Sequence, residues 1–536
     1  MKISLKHCSL IIVVFLFAPL SASAENLIEI FSLARKNDAQ WASKKQKYLA
    51  EREKMEQAFG TLMPTAEATA TMAKQMYEGG TTALRVDDAY QCAIDNGASS
   101  DTNLLEGLTI LDACQGELVG FRDVSEEYDV TQYGVTVVQP LIRMDRWYRY
   151  SRAQILDNAG KADLAYAQQE LMIRSSEAYF SILKAQEELR LIKVEEKVLR
   201  TQLTEVKNRY KLGLMRDTDV FETQGQYDIA AAAVIVAQAQ VDGLQENLVM
   251  LTGQEIEMVN PLPKDIPVDP PQPVELIEWE EFAKKSNYQL IASQYVSAAT
   301  EKEVTEKKSA HAPTADLFLD YRHNDVGGGF TPSSDTTTIG VRLTVPIYSG
   351  GVTSSQTREV RYRSESAKDD VELARRNAIR ETRQYYTKVM ADVASVEARQ
   401  RAIRSNNSSY RAIKKGWNSG IRSLTDLLGA QRKVFQARKE HSNARYDYIL
   451  DTLKLKKSAG VLTPEDLKTL NSWLEAPSSD TVSSFDEESE DFLKEVDDIK
   501  FEEEVKTFDD EKKDNKAKSQ KSLYDAYKAW RQEKAN

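Results

Sequence analysis

The sequence predicts an α+β membrane protein built by internal duplication, in which each copy joins two barrel-type β-strands to very long helices. Three observations lead there. Short motifs recur in the same order in both halves: Pro64-Thr65-Ala66-Glu67 returns as Pro313-Thr314-Ala315-Asp316, and Gly134-Val135 with Pro140 returns as Gly340-Val341 with Pro346. The segments running into those later prolines alternate strictly between apolar and polar residues. A run without proline and with little glycine then extends from about Met144 to Leu212, which as one helix would reach roughly 100 Å at about 1.5 Å per residue.

The first 24 residues read as a signal peptide. Lys2 and Lys6 precede an apolar run from Leu10 to Leu20, and Ala22-Ser23-Ala24 offers the small-x-small pattern cleaved before Glu25. Cys8 lies ahead of the apolar run, not at its cleavage end, so no lipid anchor is expected. Beyond this leader no window supplies the roughly 18 apolar residues of a membrane helix, and the Ala-rich stretch Ala230 to Ala239 is too short. Any crossing must therefore use strands.

Repeat 1 occupies residues 25–260. A helical stretch from about Asn26 to Phe59 leads into a strand at about 64–77, and a second strand follows at about 125–140. In the latter, Tyr133, Val135 and Val137 oppose Gln132, Gly134 and Thr136. An apolar face backed by a polar one suits a barrel wall between lipid and water, where about 9–11 residues span the bilayer. The alternative is a soluble β-hairpin with one buried face. Between the strands, residues 78–123 form a polar external loop that carries Cys92 and Cys114, the only cysteines left after processing. A bridge between them would contribute about 3 kcal/mol through loss of unfolded-state entropy; free thiols are the alternative.

Along the long helix, Ala178, Ile182, Ala185, Leu189, Ile192, Leu199, Leu203, Val206 and Tyr210 keep coiled-coil spacing, interrupted by Glu196. The stripe is narrow, which implies neighbouring helices on one side and water on much of the rest. Gly213 suits a left-handed C-cap and Asp219 an N-cap for a returning helix, giving a helical hairpin with its tip at 210–222. Six prolines within 261–273 then exclude both helix and sheet and mark the linker.

Repeat 2 occupies 274–475 and follows the same order: a helix from about Val274 to Ser309, strands at about 313–323 and 336–347, and a hairpin tip at 417–429. Ile339, Val341, Leu343 and Val345 oppose Thr338, Gly340, Arg342 and Thr344, while Glu67, Asp316 and Asp320 take the wet side of the remaining strands. Thr136 and Arg342 are thus candidate lumen residues. A short Gly-rich turn, Val326 to Ser334, replaces the long loop. The second seam, Val389, Val393, Val396, Ile403 and Tyr410, is looser, with Gln400 and Asn407 intervening. Gly420 and Asp426 stand where Gly213 and Asp219 stand in copy one, as cap and N-cap. From Ala476 to Asn536 charge and Ser content predict a disordered acidic tail, with a short helix at Leu523 to Arg531. Within it Asp480 to Asp514 holds 16 acidic residues against five Lys, so most of the net charge of −12 is local and a nucleic-acid partner is disfavoured.

The two tips, Tyr210-Lys211-Leu212-Gly213 through Thr218-Asp219-Val220 and Trp417-Asn418-Ser419-Gly420 through Thr425-Asp426-Leu427, together with Asn443-Ala444-Arg445-Tyr446, resemble the TolC family of outer-membrane factors. The resemblance covers Asn26 to about Gly460. It implies a homotrimer in which each subunit lends four strands to a twelve-stranded β-barrel in the bacterial outer membrane, continued by an α-helical coiled-coil tunnel through the periplasm. It also implies partners: a periplasmic adaptor, an inner-membrane ABC or proton-driven transporter, and outer-membrane lipid. The expected function is an export duct for type I protein secretion or multidrug efflux, gated at the periplasmic tips.

In that family polar links between neighbouring hairpins hold the tunnel shut and acidic side chains ring the constriction. Thr218 and Asp219 match the first hairpin's partners, Arg422 matches the basic residue of the second, and Trp417 replaces an aromatic hydroxyl donor. Asp426 matches one acidic ring position; the next falls on Gly429. Helix capping is the alternative role of Asp219 and Asp426. No cofactor or metal is called for, and enzyme motifs are absent: His7 leaves with the leader, and His311, His323 and His441 are scattered. A periplasmic coiled-coil adaptor without a barrel is the competing reading.

Overall fold

The computed structural model describes residues 25–81, 94–95, 122–256, 258–263, 266–326 and 331–474. The leader, both mature cysteines, the acidic tail with its expected helix, and turn residues 327–330 lie outside them. Thirteen elements follow in order: α1 (Leu27–Asn37), α2 (Ala39–Gly60), β1 (Thr65–Thr81), β2 (Arg122–Ile142), α3 (Met144–Lys211), α4 (Asp217–Thr252), α5 (Leu276–Ser286), α6 (Tyr288–Lys308), β3 (Thr314–Val326), β4 (Thr331–Thr344), α7 (Val352–Asn418), α8 (Leu424–Ser458) and α9 (Pro464–Asn471). A short 3-10 turn, Ser309–His311, joins α6 to β3.

The helices expected over Asn26–Phe59 and Val274–Ser309 are each broken in two. Asp38 breaks the first by accepting the Trp41 amide at 2.7 Å while holding Arg174 through both oxygens at 3.1 and 2.7 Å. Asn287 breaks the second, its side-chain amide donating to the Ser458 carbonyl at 2.8 Å. A polar side chain that gains a partner far along the sequence offsets the lost helical bonds.

The chain divides into two compact units, and these are not the two sequence copies. One takes Gln46–Asp163 and Gln289–Ala374, the other Met1–Lys45, Leu164–Tyr288 and Arg375–Asn536. Each unit draws on both copies because the copies pair with each other. In the first unit the four strands form one antiparallel sheet in the order β1-β2-β3-β4, so β2 of copy one is bonded to β3 of copy two. Buried apolar side chains there are mainly small, including Ala58, Ala159, Ala162, Ala299 and Ala367. Glu306, 5% exposed, is held by Arg149 and Arg152 at 3.1 Å each.

The strands outrun their expected bounds. β1 pairs with β2 from Thr65↔Val138 to Thr81↔Arg122, whereas β3 reaches β2 only up to Val326↔Val130. β2 also passes through Pro140 instead of stopping there; the missing N–H is absorbed by a register shift between Pro140 and Ile142. β4 begins at Thr331, earlier than expected, and stops at Thr344 before Pro346.

The second unit holds the main core, in which Leu27, Ile30, Tyr179, Phe180, Trp279 and Leu455 are essentially inaccessible. α3 buries more than the expected narrow stripe. Besides Ile182, Ala185, Leu189, Leu199, Leu203 and Val206, it buries Phe180, Leu191, Val194 and Val198, while Tyr210 is 47% exposed and lies outside the seam. The helix is packed on more than one side in this unit, which a single heptad stripe does not reveal.

Candidate functional site

The sheet has two chemically distinct faces, set by its register. Ala66, Val137, Leu319 and Ile339 form one cross-strand row, and Ala68, Val135, Tyr321 and Thr337 the next. On this face Val135, Ile339, Val341 and Leu343 are 44–72% exposed, an apolar surface that none of the described residues covers. The following row, Ala70, Tyr133, His323 and Asp335, is a polar and aromatic rim. Tyr133 stacks on His323 with ring centroids 4.5 Å apart, and one Asp335 oxygen accepts from Tyr321 at 3.0 Å and lies 2.8 Å from His323 Nδ1. Apolar residues bounded by aromatic ones are what a lipid-facing wall requires.

The opposite face is polar. Thr136 Oγ1 donates to Asp320 at 2.6 Å, Arg322 lies 3.5 Å from the same carboxylate, and the Arg342 guanidinium sits 5.0 Å over the Phe318 ring. Thr136 and Arg342, the candidate lumen residues, therefore share a face with Glu67, Asp316 and Asp320. The recurring glycine of copy two has a steric reason: a Cβ on Gly340 would stand 3.0 Å from the Phe318 ring.

The two hairpin tips are built alike. At the first, Gly213, with φ +74°, donates to the Tyr210 carbonyl at 2.8 Å, and Leu214 donates to Arg209 at 2.9 Å. At the second, Gly420, also at +74°, donates to Trp417 at 2.9 Å, and Ile421 to Gly416 at 2.8 Å. Both are Schellman caps, which need a left-handed residue at the glycine. The helices that return begin differently from expectation: α4 has Arg216 and α8 has Ser423 at the N-cap. Asp219 and Asp426 sit one turn inside, at the third helical position. Each carboxylate accepts the N-cap amide, from Arg216 at 3.1 Å and from Ser423 at 3.2 Å, and Ser423 Oγ accepts the Asp426 amide at 3.1 Å. At Ser423 this exchange is a reciprocal capping box, whereas at Arg216, whose guanidinium cannot accept, only the Asp219 half is made; both acids stand at the third helical position and not at the N-cap expected of them.

Of the remaining candidates, Trp417 is buried, 8% exposed, in a cluster with Val206, Tyr410, Leu424 and Val434. The Arg209 guanidinium lies 4.5 Å above its ring, so the tryptophan ties α7 to α3 inside one chain. Thr425 Oγ1 donates to Glu222 at 2.9 Å, and Arg432 donates to Gln226, joining α8 to α4. Thr218 is exposed, its amide bonded to Asp217 at 2.8 Å. Arg422 is exposed, has no ion-pair partner among the described residues, and lies against Gly416, whose Cβ would come within 2.8 Å of Arg422 Cγ. Gly429 faces open space. Asp219 and Arg422 are thus not brought together within the chain. Sequence reading missed Arg209 and Glu222; the available signal was a cation one turn before Gly213, at the height of the aromatic residue before Gly420.

Comparison with known proteins decides the family. The model of the outer membrane efflux protein family matches residues 114–254 and 281–461. The chain belongs to that family. It is 30% identical to the outer membrane protein TolC of Vibrio cholerae, over 78% of this chain and 96% of that one, and 27% identical to the alkaline protease secretion protein AprF of Pseudomonas aeruginosa, over 65% and 73%. The crystal structure of the Campylobacter jejuni CmeC outer membrane channel shares the fold with a TM-score of 0.63 at 16% identity, covering 87% of this chain and 89% of that one. This efflux-family chain is accordingly an outer-membrane export duct. No helix among the described residues is long and apolar enough to cross a membrane. Its relatives are channels rather than enzymes.

Proposed function

We propose that three copies of the chain close one duct, that it receives substrate from an inner-membrane transporter through a periplasmic adaptor, and that the hairpin tips are its gate. The sheet supports the need for other copies: among the described residues its edge strands β1 and β4 carry unpaired backbone groups on one side, which is untenable in hydrocarbon. Closure by identical sheets is the least costly solution.

The observation that carries the gating reading is the arrangement at the tips. Arg422 stands exposed and, among the described residues, without an ion-pair partner, one loop away from acids that each accept the amide at the start of their own helix. Asp219 accepts the Arg216 amide through Oδ2, and Oδ1 is the atom proposed to meet Arg422 of a neighbouring subunit. In this reading the resting duct is held shut by Asp219–Arg422 pairs between hairpins, with Thr218 beside them, and Asp426 contributes a ring of three carboxylates that favours cations. Arg422→Ala then raises single-channel conductance in planar bilayers, and unchanged conductance refutes the pairing. Whether the cargo is protein or small molecule is decided by a deletion strain: loss of proteins from the culture supernatant marks secretion, sensitivity to dyes and bile salts marks efflux.

A further inference from the structure

Copy two departs from copy one where its long helix meets its return helix. The offset of 207 that aligns Gly213 with Gly420 also aligns Asp392 of α7 with Ala185 of α3, and Asp451 of α8 with Leu244 of α4. In copy one these two positions belong to an apolar contact: Ala185 is buried and Leu244 packs beside it with Leu189, Ala237 and Val241. In copy two both are carboxylic acids within hydrogen-bonding reach of each other. Asp392 Oδ2 is buried without a donor. The flanking positions stay apolar, Val389 and Leu455 being buried as Ile182 and Leu248 are. The exchange of oil for acid is therefore confined to this one level of the seam.

The neighbouring charges do not neutralise the pair. α7 presents Lys388, whose ammonium is 3.9 Å from Asp451 and 5.4 Å from the Tyr385 ring. α8 presents Asp447 and Lys454, and α3 presents Glu177 and Lys184. Lys454 bonds Glu177 at 2.7 Å and Lys184 bonds Asp447 at 2.9 Å, so two of the three cations are engaged elsewhere. Two carboxylates in contact with one loosely held ammonium repel, whereas a carboxyl and a carboxylate sharing a proton attract. Burial first, then the charges of Asp451 and Asp447, push Asp392 up to about 6. Burial raises Asp451 as well.

We propose that Asp392 and Asp451 form a proton-operated seam between the two helices of the second hairpin, closed while they share a proton and loosened once both are ionised. Because the folded chain holds the Asp392 proton more tightly than the unfolded chain, the stabilisation is complete below 3.8, falls as pH rises toward about 6, and is lost above it. The seam follows from the fold and is independent of what the duct carries.

Hydrogen–deuterium exchange on the full-length protein in detergent tests it. For Asp392 alone, linkage gives a factor of about ten between about pH 7 and about pH 5, and partial exposure screens this to roughly three- to tenfold. Amides of residues 388–396 and 447–455 are expected to be that much better protected at the lower pH, after correction for intrinsic exchange. Installing copy one's pair, Asp392→Ala with Asp451→Leu, removes the difference. Asp392→Asn, which keeps the shape and a hydrogen-bonding group, removes it too and serves if the double variant does not fold. A wild-type difference of less than about twofold, or one of wild-type size that persists in Asp392→Asn, overturns the proposal.

Discussion

Trp417→Ala tests whether the second tip is tied to the first within one chain. The indole is 8% exposed and packs in the cluster that contains Val206, Leu424, Leu427 and Val434. Removing a buried tryptophan costs about 3–5 kcal/mol, and because the site lies at an exposed hairpin end that can relax, the lower figure applies. The Arg209 guanidinium, 4.5 Å above the ring, adds about 0.5–1 kcal/mol, since its side chain is 37% exposed and also bonds Glu205 at 2.6 Å. Local opening should therefore become about 100-fold easier in Trp417→Ala and less than about tenfold easier in Arg209→Ala, with a coupling of about 0.5–1 kcal/mol in the double-mutant cycle. Amide exchange across residues 410–428 reads all three. Trp417→Phe keeps most of the packing and should recover most of the protection. Equal losses in Arg209→Ala and Trp417→Ala, or none in the latter, would show that the buried contact does not hold the tip.

Two further outcomes follow from other parts of the chain. Val341→Lys places a charge on the apolar sheet face, where Val341 is 62% exposed; at mid-bilayer depth this costs about 2–4 kcal/mol, so the heat-resistant fraction in outer-membrane extracts should fall while Thr338→Lys on the polar face leaves it near wild type. Gly460→Ala puts a Cβ 2.1 Å from the Ser286 carbonyl oxygen at φ +77°; backbone cannot yield there, and loss of more than about 3 kcal/mol should appear as failure to accumulate folded protein, against which normal expression would count.

Much of this architecture was legible because it is local. The long helices could be bounded from the absence of proline, and the tip glycines identified from their place at the end of a periodic run, since a left-handed cap is dictated by one residue type. Strand faces were legible because alternation has a period of two whatever lies beyond the sheet. The helix breaks at Asp38 and Asn287 were not, because their partners, Arg174 and the Ser458 carbonyl, are 136 and 171 residues away. Asp219 and Asp426 were placed one turn early because N-cap and third-position acids look alike in a sequence until the backbone shows which residue leaves the helix. Trp417 matched a gate position by family resemblance, yet its described contacts lie inside its own chain, a distinction that depends on side-chain packing. The Asp392–Asp451 contact was invisible for the same reason: neither acid is unusual until the two helices are laid together.

The interleaving of the two copies bears on how such a chain could have arisen and diverged. A chain with a single copy would supply two strands and one hairpin, and every position in its wall and every tip would be repeated identically around the axis. Fusing two copies halves that symmetry without altering the pattern of strand pairing, because β2 simply bonds β3 of the same chain in place of a strand from another molecule. Substitutions can then enter alternate hairpins only. On the proposed seam, a carboxyl pair in every hairpin would loosen all hairpins together, whereas in every second hairpin it leaves those carrying Ala185 and Leu244 as the stiffer set. On that proposal, duplication gives the protein a stiff set and a yielding set of staves from one ancestral shape.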